Sequence, residues 1–139
     1  SNLQAALGYA QMQRIDELVN KKIEIFNLYK NELSKIDGIR LNSQVEYVKN
    51  TYWMPTIILD EKLGIDRNKM IDYLNLNGTP TRPFFYPASS CPEFEKLSNN
   101  TLSIQLGKNG INLPSYFDMT NEDIQKVSSD IIKYLNNER

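Results

Sequence analysis

The chain of 139 residues carries 16 Lys and Arg against 17 Asp and Glu, a formal charge of -1, with 40% apolar residues and no histidine. That is material for one ordinary core, and a near-neutral balance without any block of like charge offers no field that would track a phosphate backbone, so no nucleic-acid partner is expected. No apolar run approaches the ~20 residues that span a bilayer, no secretory signature opens the sequence, and the lack of His beside a lone Cys91 rules out a His-based triad, a Cys/His zinc site and a disulfide within the chain.

From Ser1 to about Ile36 there is no proline and a single glycine, Gly8, while apolar residues recur at Leu3, Leu7, Ala10, Ile15, Leu18, Phe26, Tyr29, Leu33 and Ile36. The spacing predicts one long helix, which would extend roughly 50 Å, more than a compact domain of this size needs. Its first turns, Ala5 to Ala10, are small and apolar nearly all round, so they read as an interface covered from outside the domain. Asp37-Gly38 ends the helix. Ile39 to Leu41 and Thr51 to Asp60 are rich in β-branched and aromatic residues and read as strands, with Pro55 placing the second at an edge or bulge. Asp66 caps a helix whose apolar face is Met70, Ile71 and Leu74, closed by Asn77-Gly78.

Thr81 to Tyr86 returns as a strand bounded by prolines, followed by two short helical pieces at Glu93 to Leu97 and Thr101 to Lys108. Asn109-Gly110 stops the second, and Ile111 to Leu113 forms a strand ended by Pro114. Thr120 to Asp123 has the form of a capping box with a short acid, ahead of a helical stripe at Ile124, Val127, Ile131 and Leu135. The sum is an α+β fold, a long N-terminal helix followed by a small, mostly antiparallel sheet covered by helices. We read 1–139 as a single domain, with 1–36 as connecting and interface helix and 37–139 as the small α+β unit.

Chemistry-bearing residues are sparse. Arg82 stands beside Phe84, Phe85 and Tyr86 in a segment stiffened by three prolines, a permanent cation among aromatic faces that suits an anion or a sugar nucleotide. Read from spacing alone, the same residues also fit core phenylalanines and a surface charge. Cys91, with no His to deprotonate it, reads as a structural thiol. The adjacent acids Asp16-Glu17, Asp60-Glu61 and Glu122-Asp123 do not face each other on a helix and read as caps or solvated surface. Gly107-Lys108-Asn109-Gly110 lacks the spacing of a phosphate-binding loop. No self-sufficient catalytic set emerges from the residues themselves.

Three segments, taken together, resemble the DegT/DnrJ/EryC1/StrS family of sugar aminotransferases. Ser1 to Gln11 is similar to a helix start of that family, Gly78 to Pro87 to a segment common among its perosamine synthase-like members, and Asn109 to Ser115 to its late turn into a strand. Order and spacing agree along essentially the whole chain. The resemblance implies the C-terminal small domain of the aspartate-aminotransferase fold, and a larger domain, carrying the lysine that holds pyridoxal phosphate, that precedes these residues. It implies that the complete, homodimeric cytoplasmic enzyme moves an amino group from an amino acid, usually L-glutamate, to a keto carbon of a nucleotide-linked deoxysugar for O-antigen, capsule or other polysaccharide synthesis.

On that resemblance Arg82, Phe84, Phe85 and Tyr86 are the candidate substrate-binding wall, no catalytic or metal residue lies in this chain, and the chain by itself should be inactive. Ala88-Ser89 stands where perosamine synthase-like members have Leu-His, which bears on the sugar accepted. Two other readings remain open at this stage: a sugar dehydratase of the same family and cofactor, and a non-catalytic domain that binds a partner through its apolar first helix.

Overall fold

The computed structural model describes residues 1–94 and 99–138. Its centre is a four-stranded antiparallel sheet of β1 (Ile39–Leu41), β2 (Thr56–Leu59), β3 (Arg82–Pro83) and β4 (Gly110–Asn112), in the spatial order β1-β2-β4-β3. Successive side chains of a strand point to opposite faces, and the register sets Ile39 opposite Leu59, Leu41 opposite Ile57, and Ile57 opposite Ile111. One face is therefore apolar throughout. Against it pack α2 (Ile15–Leu33) through Ile25, Tyr29 and Leu33, α3 (Arg67–Leu76) through Met70, Ile71 and Leu74, and α5 (Asn121–Asn137) through Ile124, Val127, Ile131 and Leu135. Tyr29 is wholly buried, and its hydroxyl escapes the desolvation penalty by donating to the Pro114 carbonyl at 2.9 Å.

The helix starts follow local chemistry. The Asp66 carboxylate accepts from the Asn68 and Lys69 amides, and Thr120 and Asp123 close the reciprocal capping box that opens α5. Gly38, at φ 84°, makes the left-handed turn from α2 into β1, a backbone conformation that favours glycine, and a Cβ there would fall 2.6 Å from the Leu63 side chain and displace it.

Three expectations change. The single helix from Ser1 to Ile36 is two: α1 (Asn2–Met12) ends at Gln13, and the Arg14 amide bonds back to Gln11 rather than one residue further. Arg14 is held at the break by both carboxylate oxygens of Glu17, at 2.8 Å each, and lies 5.6 Å from the Phe117 ring, while Asp16 and Glu17 supply the negative charge a new helix start favours. The strand expected over Thr51 to Asp60 keeps only Thr56–Leu59, and it is a central strand, with Pro55 just ahead of it rather than at an edge or bulge. Thr81 to Tyr86 contracts to Arg82–Pro83, although the Phe84 amide still reaches the Gly110 carbonyl at 2.9 Å. Of the piece expected at Glu93 to Leu97, residues 95–97 lie outside the described residues, whereas the next forms α4 (Thr101–Asn109).

Every residue of α1 is exposed, Leu3, Leu7, Tyr9 and Met12 among them. A helix with this much open apolar surface is not stabilised by packing against its own domain. No described helix is long and apolar enough to cross a membrane.

Candidate functional site

The same register that builds the core sends a second set of side chains to the opposite face. Arg40, Ile58 and Gly110 form one row across the strands, and Thr56, Asn112 and Arg82 the next. Thr56 and Asn112 are buried there, so their polar atoms need partners. The Thr56 hydroxyl donates to Asn112 Oδ1 at 2.9 Å, and Asn112 Nδ2 to the Pro83 carbonyl at 3.2 Å. The Thr56 amide donates to Asn42 Oδ1 at 2.7 Å, whose Nδ2 in turn reaches the Met54 carbonyl at 3.2 Å. This network fastens the short edge strand β3 to the rest of the sheet and so fixes the base of the Arg82 to Tyr86 segment.

The aromatic part of the segment is built by close approach. Phe84 lies so tightly over Gly110 that a Cβ there would be 2.5 Å from its own Cβ and 2.7 Å from the Leu106 carbonyl. The Phe85 ring meets Phe84 edge-on at 5.6 Å and stacks with Trp53 at 5.9 Å. Trp53 follows Tyr52, a non-glycine residue at φ 48°, whose ring stacks on Phe26 of α2 at 3.6 Å and whose amide donates to Asn50 Oδ1 at 2.9 Å. Those contacts offset the cost of the left-handed conformation, and leave Trp53 on the surface beside Phe85.

Lys22 completes the support. Its amine donates to the Ser115 carbonyl and, at 3.0 Å, to the Ser115 hydroxyl, which itself donates to the Trp53 carbonyl at 3.3 Å. Burial pushes the Lys22 ammonium below the ordinary lysine range.

The four residues singled out from the sequence do not converge on one cavity. Arg82 is exposed, and its side chain has no hydrogen bond or ion pair among the described residues. Phe84 borders a cleft of about 280 Å³ together with Arg40, Asn42, Thr56, Ile58 and Leu106. Tyr86 borders a different cleft of about 370 Å³ with Arg67, Asn68, Ser90, Ile104 and Lys108. Phe85 lies between them, on the surface with Trp53. The strand ends at Pro83, so Phe84 and Tyr86 do not keep the shared side that alternation would give them, and the four residues line no common cavity.

Sequence reasoning overlooked Trp53, Arg40 and Arg67. Trp53 falls within the strand expected over Thr51 to Asp60, and Arg67 directly follows a helix cap, where a charged residue normally reads as solvated.

Pyridoxal phosphate needs a lysine amine, a partner for its ring nitrogen and an enclosing face. The cleft at Phe84 holds no lysine, and the cleft at Tyr86 holds only the exposed Lys108 and no carboxylate. These clefts do not fit that cofactor. Cys91, read from the sequence as a structural thiol, is exposed. Among the described residues no group of His, Cys, Asp or Glu could hold a metal ion.

The fold is shared with solved aminotransferase structures. The TlmJ aminotransferase of Streptoalloteichus hindustanus superposes with a TM-score of 0.85 at 20% identity, over 97% of this chain and 36% of that one. Residues 1–132 match the model of the DegT/DnrJ/EryC1/StrS aminotransferase family, and the chain belongs to that family.

Within it, the chain is 32% identical to the GDP-perosamine synthase of Vibrio cholerae, over 98% of this chain and 38% of that enzyme. The fold is shared by an Escherichia coli GDP-4-keto-6-deoxy-D-mannose-3-dehydratase with bound hydrated PLP, at a TM-score of 0.76 and 14% identity over 91% of this chain and 34% of that one. The chain thus spans little more than a third of the length of these proteins.

Proposed function

We propose that these residues are the C-terminal domain of a pyridoxal-phosphate-dependent nucleotide-sugar aminotransferase. The observation that carries the reading is the match to a GDP-perosamine synthase along nearly the whole chain, at an identity well above that of the fold-level neighbours. In the complete protein the cofactor would be held by residues outside this chain and would supply the electron sink for amino transfer. The part played here is binding: Arg82 offers a permanent cation to a phosphate oxygen, and Phe84, Phe85 and Tyr86 offer faces to an apolar sugar edge or a base. L-glutamate is the proposed amino donor, a nucleotide-linked keto-deoxysugar the acceptor, and the bacterial cytoplasm, in polysaccharide or O-antigen synthesis, the setting.

In the same reading α1, with Leu3 and Leu7 exposed, meets the larger domain and the second subunit of a homodimer, while 37–139 closes one wall of the substrate cleft.

The test uses the complete protein, with L-glutamate and GDP-, dTDP- and UDP-linked 4-keto-6-deoxysugars, following 2-oxoglutarate release. We expect turnover with one nucleotide class and, in Arg82→Ala, KM raised about tenfold, which corresponds to the ~1.4 kcal/mol of one charge-assisted contact. Absence of 2-oxoglutarate with every sugar, or loss of the sugar hydroxyl in place of amination, refutes the reading.

A further inference from the structure

Arg67 carries a charge that the fold does not balance. The residue is 8% exposed, yet its guanidinium has no carboxylate partner among the described residues. One nitrogen, Nη1, donates to the Gly110 carbonyl at 3.2 Å, whereas Nε is buried and finds no acceptor. An unpaired buried charge is among the costliest features a fold can hold. The adjacent Asp66 does not answer it, because its carboxylate is engaged with the amides that start α3.

Arg67 borders two clefts, one of which also includes Asp66, and the other is complementary to an anion. This second cleft, of about 370 Å³, lies between the start of α3 and the end of α4, and the other polar side chains there are those of Asn68, Tyr86, Ser90 and Lys108. Each can donate a hydrogen bond, two are cationic counting Arg67 itself, and none is a carboxylate. Lys108 is exposed and makes no ion pair among the described residues, so its charge is available.

From this juxtaposition we propose that the cleft between α3 and α4 is a binding site for a phosphate group, with Arg67 as the buried counter-charge and Lys108, Asn68 and Ser90 as donors at its rim. A dianion and a fork-shaped donor beside an ammonium match in charge and in number of acceptors. The cleft exceeds the volume of an inorganic phosphate, and Ile104 and the Tyr86 ring furnish apolar wall for the ester substituent of a phosphomonoester. The site requires no part of the aminotransferase reading.

The experiment is an amide NMR titration of the 139-residue chain with inorganic phosphate, glycerol 3-phosphate and acetate at fixed ionic strength. We expect saturable shifts at Asn68, Ser90 and Lys108 with both phosphates, and at least tenfold weaker binding in Lys108→Glu. Because Lys108 is exposed, that variant keeps the fold, which its unchanged spectrum elsewhere would verify, whereas Arg67 variants risk unfolding. Tighter binding of glycerol 3-phosphate identifies an ester site, and equal binding a site for the phosphate group alone; either supports the proposal. Shifts that fail to saturate, that acetate reproduces, or that survive Lys108→Glu overturn it.

Discussion

Ile57 and Ile58 are chemically identical neighbours on β2 that the register sends to opposite faces, and truncating each to alanine measures what each face contributes. Ile57 is wholly enclosed among α2, α3 and α5, so Ile57→Ala withdraws three buried carbons at about 0.8 kcal/mol each in transfer free energy. The cavity left in a rigid core adds to this, and buried truncations of this size cost about 2–5 kcal/mol, which places Ile57→Ala at about 3–4 kcal/mol. Ile58 is half-buried and borders an open cleft that water enters, so only part of the transfer term is lost and no sealed void remains. For Ile58→Ala we expect about 1 kcal/mol.

The assay is urea unfolding followed by circular dichroism. With a slope of about 2 kcal/mol/M, the midpoint falls by about 1.5–2 M for the first variant and about 0.5 M for the second, with unchanged slopes. Domains of this kind are stable by about 5–15 kcal/mol, so both variants still fold. Equal costs, or a larger cost at Ile58, would mean that β2 is paired one residue out of the register described, since a slip of one residue exchanges the two faces.

Two further outcomes follow from particular contacts. Burial alone would raise the Asp130 carboxyl, but hydrogen bonds from Thr79 at 2.7 Å and Lys126 at 3.0 Å, with the attraction of Lys126 and Lys133, hold it below the ordinary carboxylate range. A depressed carboxylate stabilises above its unfolded pKa of about 3.9 and loses that contribution as pH falls through the folded value. Asp130→Asn should therefore cost about 1–2 kcal/mol at pH 7 and progressively less below about pH 4, by urea unfolding across pH; a cost that stays constant down to pH 2 refutes the assignment. Gly110→Ala forces Phe84 or α4 away from β4, because the new methyl meets the Phe84 Cβ and the Leu106 carbonyl. We expect a loss of about 2 kcal/mol or more together with altered ring resonances of Phe84 and Phe85, and a variant that is silent in both measurements contradicts the packing described.

The candidate site was legible in the sequence only in part. Arg82, Phe84, Phe85 and Tyr86 stand out because cation, aromatics and prolines are adjacent along the chain. Their support is not adjacent: Trp53 comes from another loop, Lys22 and Ser115 lie 93 positions apart, and the Thr56–Asn112 bond joins positions 56 apart. Linear spacing carries no trace of such pairs. The separation of Phe84 and Tyr86 into two clefts was equally hidden, because it follows from which distant residues the fold brings beside each.

What the sequence determined by itself was whatever local chemistry decides: the caps at Asp66 and Thr120, the turn at Gly38, and the apolar stripe of α5. It also carried the family, through motifs whose order survives at about a third identity. What only the tertiary structure decided was everything that depends on competition between distant partners. The contact of Arg14 with Phe117, the central place of β2 between β1 and β4, and the bond from buried Arg67 to a carbonyl 43 residues away are of this kind. Helix caps and turns are settled within a few residues by hydrogen bonds and sterics, whereas burial and pairing are settled by the whole chain closing on one core.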